Sequence, residues 1–232
     1  MSHDVSGNRA NLSYGETLKL QIAILEQARG GVSEAIWSSP RLTELFQELL
    51  FKFHCSVRAS VPLLESALER CKEISDQCSV ATALIPYYAE HIEEERGHDE
   101  WLLEDMEVLG LDRNEVLARI PSADMASLIG AQYYWIKHAH PVATLGYLAA
   151  VEGEPIAVDK LDRIVATTAI PREALTSFYR HAELDINHSA DLWRLIDELD
   201  LTAWHKELVT QSATLAIQQD ALMTKNLVDE FK

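Results

Sequence analysis

Apolar residues recur every three to four positions through most of this chain, and no stretch alternates apolar and polar positions long enough for a strand. The pattern predicts an all-α protein. Helices are expected at about Tyr14 to Ala28, closed by Gly30-Gly31, and from Pro40 to Ile74 with a bend near Pro62. A third runs from Val80 to Leu109, ending at Gly110. Shorter helices follow at Ser122–Ala139, Pro141–Glu152 and Val158–Thr168, and two longer ones at Arg172–Leu199 and Thr202–Phe231. Residues 1–12 are polar and read as a loose arm. Residues 13–232 carry no repeat, linker or low-complexity segment and read as one bundle of seven or eight helices.

The 232 residues, 47% of them hydrophobic, suffice for one sizeable core. A formal net charge of -17 argues against nucleic acid or an anionic membrane as partner. The longest uncharged runs, Met125 to Ile136 and His138 to Val151, are too short to span a bilayer. The opening Met-Ser-His-Asp-Val-Ser-Gly-Asn lacks a basic start followed by an apolar stretch, so no secretory signal is expected. Cys55, Cys71 and Cys78 show no CxxC spacing and read as free thiols. Together these point to a cytoplasmic setting.

The polar residues inside the apolar pattern carry the chemistry. On a helix, Asp185 lies about 40° and His188 about 20° from the line through His181. That stripe runs from Phe178 through Leu192, Ile196 and Leu199, so the three polar groups face the core. Buried together, two imidazoles and a carboxylate need a compensating partner, and a metal ion serves. In the third helix His91, Glu95, His98, Leu102 and Met106 fall within about 60° of one another, with Glu94 on the flank. Glu93, Arg96, Glu100, Glu104 and Glu107 form the wet side. Glu152 ends an apolar segment and shares a face with Leu145 and Leu148; on its own it reads as a solvated helix-end glutamate. Jointly, Glu95 (or Glu94), His98, Glu152, His181, Asp185 and His188 suit two divalent iron or manganese ions. Zinc is less natural, because closed zinc sites favour cysteine and four ligands. His54, His138, His140 and His205 stand singly, with no partner spacing.

Three segments carry a resemblance: Glu95-Arg-Gly-His98-Asp-Glu-Trp-Leu-Leu, Leu145-Gly-Tyr-Leu-Ala-Ala-Val-Glu152-Gly and His181-Ala-Glu-Leu-Asp185-Ile-Asn-His188. With them the chain resembles the haem-oxygenase-like diiron oxidases and oxygenases, relatives of thiaminase II and pyrroloquinoline-quinone synthase. The resemblance implies a seven-helix haem-oxygenase-like bundle and two irons per chain, with manganese as a substitute. It implicates Glu95, His98, Glu152, His181, Asp185 and His188 as ligands. Some family members place the first glutamate seven or more residues before its histidine. Here that position is His91, so either Glu95 or Glu94 supplies the carboxylate, or His91 is a further ligand.

The implied activity is dioxygen activation to oxidise a small organic molecule of amine, amino acid or fatty acid type, in biosynthesis and as a homodimer. Haem is not expected, because the first helix lacks the axial histidine of haem oxygenase. Thiaminase II chemistry is not expected either, since no cysteine follows Cys78. The other readings are a cofactor-free oxidase of the quinone-synthase type and a non-catalytic metal-binding helical protein.

Overall fold

A computed structural model describes residues 12–27 and 35–231. The elements delimited among them are ten α-helices and two 3-10 turns, with no strand. They are α1 (Tyr14–Gln27), α2 (Leu42–Ile74), α3 (Ser79–Glu95), α4 (His98–Val108), α5 (Arg113–Ala118), α6 (Ala123–His138), α7 (Ala143–Val151), α8 (Val158–Thr167), α9 (Thr176–Glu198) and α10 (Ala203–Glu230). The 3-10 turns, Ser75–Gln77 and Arg172–Leu175, lead into α3 and α9. The expected arm and the Gly30-Gly31 helix end lie outside the described residues.

Two differences raise the helix count above seven or eight. The expected helix over Val80 to Leu109 is two helices, separated at Arg96-Gly97. The stretch after Gly110 forms the short helix α5, because the Asp112 side chain accepts from the amides of Asn114 and Glu115. By contrast α2 continues through Pro62, which lies on the exposed side, where water can replace the missing helical bond.

Helix α7 is apolar on every side, and its residues from Ala143 to Ala149 are all buried. It is the axis on which α6, α9 and α10 pack, while α2 backs α3, α4 and α6. Gly146 sets how closely α10 approaches. A Cβ added there would lie 2.1 Å from the Val209 carbonyl oxygen and 2.9 Å from the Ala213 amide nitrogen. Polar groups within this core tie helices together: Tyr88 donates to the Pro141 carbonyl at 2.9 Å, and the Ser212 hydroxyl donates to Gln132 Oε1 at 2.9 Å. No helix among the described residues is long and apolar enough to cross a membrane.

The same substitution should have opposite signs at two helical glycines. Gly146→Ala drives a methyl group into the α10 backbone and should destabilise by about 3 kcal/mol or more, a fall of roughly 6–12 °C in Tm. Gly130→Ala adds its methyl group in open space on the exposed face of α6 and should stabilise by about 0.5–1 kcal/mol. Thermal unfolding followed by circular dichroism measures both.

Candidate metal centre

The chain break between α3 and α4 builds one half of the site. Arg96 is extended, and Gly97 takes φ 84°, a left-handed conformation that glycine adopts without the steric cost other residues meet. Glu95 therefore closes one helix and His98 opens the next. The pair faces inward because the chain turns between them, not because they share a continuous stripe as the wheel suggested. His98 Nδ1 lies 3.2 Å from Glu95 Oε1.

The other half comes from α7 and α9. Glu152 caps the C-terminus of α7, and the next carbonyl, that of Gly153, accepts from Ser189 Oγ at 2.8 Å and Trp193 Nε1 at 3.0 Å. Those bonds fasten the end of α7 to α9 and turn Glu152 inward, against its reading as a solvated helix end. Helix α9 is fixed by Asp105, a fully buried residue of α4. Its carboxylate accepts from the Thr176 amide at 3.1 Å, the Ser177 amide at 2.9 Å and the Ser177 hydroxyl. The first turn of the helix carrying His181, Asp185 and His188 is thus capped from the helix carrying His98.

All eight residues singled out in the sequence converge. His91 Nε2 lies 3.1 Å from Glu152 Oε2, and His188 Nδ1 lies 3.7 Å from Asp185 Oδ1 and 4.0 Å from Glu95 Oε1. The rings of His98 and His181 meet edge to face at 4.9 Å, those of His91 and His188 at 5.1 Å. Glu95 reaches both pairs, through His98 and His188, and Asp185 lies beside His188. His91 and His98 are 2% exposed, Glu95 and Asp185 6%, and His188 7%, whereas the Glu94 side chain is 43% exposed. That difference separates Glu95 from Glu94, since Glu94 sits on the solvent side of His91 and His188.

The bonding pattern is the one a metal site requires. Close as they are, His91 Nε2, His98 Nδ1, His188 Nδ1 and Asp185 Oδ1 have no hydrogen-bond partner among the described residues. These atoms lie 3.1–3.7 Å from the carboxylates and rings around them without an aligned hydrogen bond, and buried polar groups in that state are stabilised by a cation between them. The opposite edges of two rings are satisfied: His181 Nδ1 donates to the Ser177 carbonyl at 2.8 Å, and His91 Nδ1 donates to Glu94 at 3.3 Å. A proton held on Nδ1 leaves Nε2 bare for a cation. Aromatic rings set the ring planes. Trp101 stacks on His98 at 4.1 Å and Tyr87 on His91 at 5.5 Å.

Electrostatics show the strain of this arrangement without a cation. Burial, reinforced by Glu152 and Glu95, raises the Asp185 carboxyl to about 7. Burial favours the neutral form of His91, but the carboxylates of Glu152, Glu95 and Glu94 outweigh it and raise the imidazole to about 9. His181 is lowered by burial and by neighbouring His98. Glu95 is lowered because His98, His91 and His181 overcome the opposing effect of burial.

A second cluster escaped the sequence reading, which left His140 and His205 as isolated residues. The structure brings Cys78, His140 and His205 together, with ligand-type atoms within 4.8 Å of one another and Cys78 Sγ 3.3 Å from His140 Nε2. Its protons lie the wrong way for a metal. His140 Nδ1 accepts from the Val142 amide at 3.0 Å, and His205 Nδ1 accepts from the Thr202 amide at 3.3 Å. Both neutral rings therefore carry the proton on Nε2, and His140 donates it to the sulfur. This is a hydrogen-bonded cluster that tethers the α6–α7 connection to the ends of α3 and α10.

The centre has a different cavity on each face. On the side of Glu95, Glu152, His181 and Asp185 lies a chamber of about 220 Å³, walled largely by apolar side chains including Phe53, Val57, Leu102, Tyr147 and Ile217. On the side of His91, Glu94 and His188 lies a polar cleft of about 220 Å³ bordered by Glu90, Asp191, Arg194 and Glu198.

Known structures define the class first. The fold matches a domain of unknown function with a heme oxygenase-like fold from Shewanella denitrificans OS217, at 19% identity and a TM-score of 0.67, covering 90% of this chain and 93% of that one. It also matches a TenA homolog from Pseudomonas syringae pv. tomato str. DC3000, at 11% identity and a TM-score of 0.72, covering 99% of this chain and all of that one. The protein has the heme oxygenase-like fold. Residues 47–221 match the family model for iron-containing redox enzymes, and the chain belongs to that family. A search of curated proteins finds no match.

Removing the cap that joins the two halves should loosen both. Asp105→Ala leaves two backbone amides and one hydroxyl without their acceptor at the start of α9. The expected loss is about 2–3 kcal/mol, read as a lower urea midpoint with an unchanged slope.

Proposed function

We propose that this protein is a non-haem diiron oxidase or oxygenase that uses dioxygen to oxidise a small organic substrate. One observation carries the reading: four histidines and three carboxylates from α3, α4, α9 and the C-terminal cap of α7 converge, and four of their inward atoms, on His91, His98, Asp185 and His188, have no hydrogen-bond partner among the described residues. Nitrogen and carboxylate donors in this ratio, with no thiolate, suit iron, and manganese as its substitute. Glu95, His98 and His181 would hold one ion and His91, Glu152 and His188 the other, with Asp185 a further donor beside His188. Iron, when bound, supplies the redox chemistry toward dioxygen.

The residues of the chain do the rest. The Ser177 carbonyl and Glu94 hold the protons of His181 and His91 on their outer nitrogens. Trp101 and Tyr87 fix the ring planes. The largely apolar chamber fits the hydrocarbon or aromatic part of a small molecule. Its charged groups beyond the proposed ligands are Glu154 and the Lys52–Asp220 ion pair at 2.5 Å. An amine, amino acid or fatty acid substrate in a biosynthetic reaction is the reading carried over from the family resemblance, as is assembly as a homodimer in the cytoplasm.

Anaerobic loading with ferrous iron should approach two irons per chain; a value near zero overturns the proposal. His188→Ala or Asp185→Ala should lower that number, while His205→Ala should leave it unchanged.

Metal affinity should also depend on pH in a defined direction. Without metal, His91 (about 9) and Asp185 (about 7) hold protons near neutrality that a cation must displace. Affinity should therefore rise with pH from about 6 to 9 and flatten above that range. Titration of the metal-free protein with manganese, calorimetrically at several pH values, measures this, and a flat profile contradicts it.

A further inference from the structure

Glu94 and Glu95 are adjacent in sequence and both touch the histidines, yet their surroundings assign them different work. Glu95 is buried among the inward atoms, 3.2 Å from His98 Nδ1 and 4.0 Å from His188 Nδ1. Glu94 lies behind the rings. Its Oε2 accepts from His91 Nδ1 at 3.3 Å and lies 3.5 Å from His188 Nε2, so one oxygen meets the outer nitrogens of two rings on two helices. Those same rings turn their other nitrogens inward, His91 Nε2 toward Glu152 and His188 Nδ1 toward Asp185 and Glu95, and both inward nitrogens are unpaired.

We propose that Glu94 is a positioning residue, not a ligand: it anchors the outer nitrogens of His91 and His188 so that both inner nitrogens face the metal. This rests on the metal-binding reading of the centre. A metal-bound imidazole is neutral and carries one proton on its other nitrogen; an acceptor on the outer edge keeps that proton there, so it is the inner nitrogen that gives up its proton to the metal. For His181 a backbone carbonyl does this within its own helix. His91 and His188 face each other across α3 and α9, and one carboxylate serves both. The polar cleft leaves Glu94 accessible from solvent, with the side chains of Glu90 and Asp191 on its rim and the Arg194 guanidinium held by Asp191 at 2.6 Å.

The test uses the full chain, stripped of metal and loaded anaerobically with ferrous iron. Wild type, Glu94→Gln, Glu94→Ala and Glu95→Gln are compared for iron per chain, for affinity by chelator competition, and for the visible spectrum after cobalt substitution. Thermal unfolding of the metal-free forms controls for folding. Glu95→Gln should bind one metal fewer per chain. Glu94→Gln should keep the wild-type number and cobalt band positions, with affinity weaker by roughly 10–100-fold, the usual effect of losing an outer partner. Because Glu94 opens on the cleft, millimolar formate should restore part of the affinity of Glu94→Ala, while formamide should not. Loss of a whole metal equivalent in Glu94→Gln makes Glu94 a ligand and overturns the proposal. Wild-type affinity in Glu94→Gln and Glu94→Ala overturns it as well. Wild-type protein that binds no metal overturns the diiron reading together with this one.

Discussion

The buried carboxylate of Asp105 is the constraint on which the centre depends. It belongs to α4, and it accepts from the first amides of α9. Without it, the two helices that contribute His98 and the His181–Asp185–His188 stripe would meet only through side-chain packing, which tolerates sliding. A helix N-terminus exposes amides that must find acceptors. Here they find one on the neighbouring helix, and the register of α9 against α4 is set by directional bonds. The Gly153 carbonyl does the equivalent for α7, and the left-handed turn at Gly97 does it for α3 against α4.

Two clusters in this molecule have compositions that suggest a metal, and the direction of their protons separates them. At the main centre the satisfied outer nitrogens, His181 Nδ1 and His91 Nδ1, face acceptors, so the inner nitrogens are the ones a metal can take. At Cys78, His140 and His205 the ring nitrogens face backbone donors, so the lone pairs are used and N–H groups point inward. Residue type and distance alone would rank the two together.

The helical class and most of the helices were legible from apolar spacing, and the His181–Asp185–His188 stripe was legible because it continues into leucines on an unbroken helix. The stretch around Glu95 was less so. A wheel drawn through Gly97 assumes continuity, and a left-handed glycine ends it, so Glu95 and His98, which do turn inward, were selected there on a geometry the chain does not adopt. The difference between Glu94 and Glu95, one solvent-facing and one buried, depends on where α9 packs and has no local signature. Asp105 lies beside the Leu102–Met106 stripe in a helix crowded with acids. Its partners are more than seventy residues away, so nothing nearby in sequence marks it. His140 and His205 were read as solitary for the same reason.

The helices divide their labour. The residues proposed to hold metal come from α3, α4, α7 and α9, whereas much of the apolar chamber is walled by Phe53 and Val57 of α2, Met125 and Leu128 of α6, and Ile217 and Met223 of α10. The proposed metal centre and most of the chamber walls therefore reside in separate parts of the bundle. Side chains of those walls can change size or polarity with little disturbance to the polar cluster, because they approach it from helices that do not donate to it. If the centre is the oxidant proposed above, an architecture of this kind would let one reagent be redirected toward many molecules by repapering one set of walls.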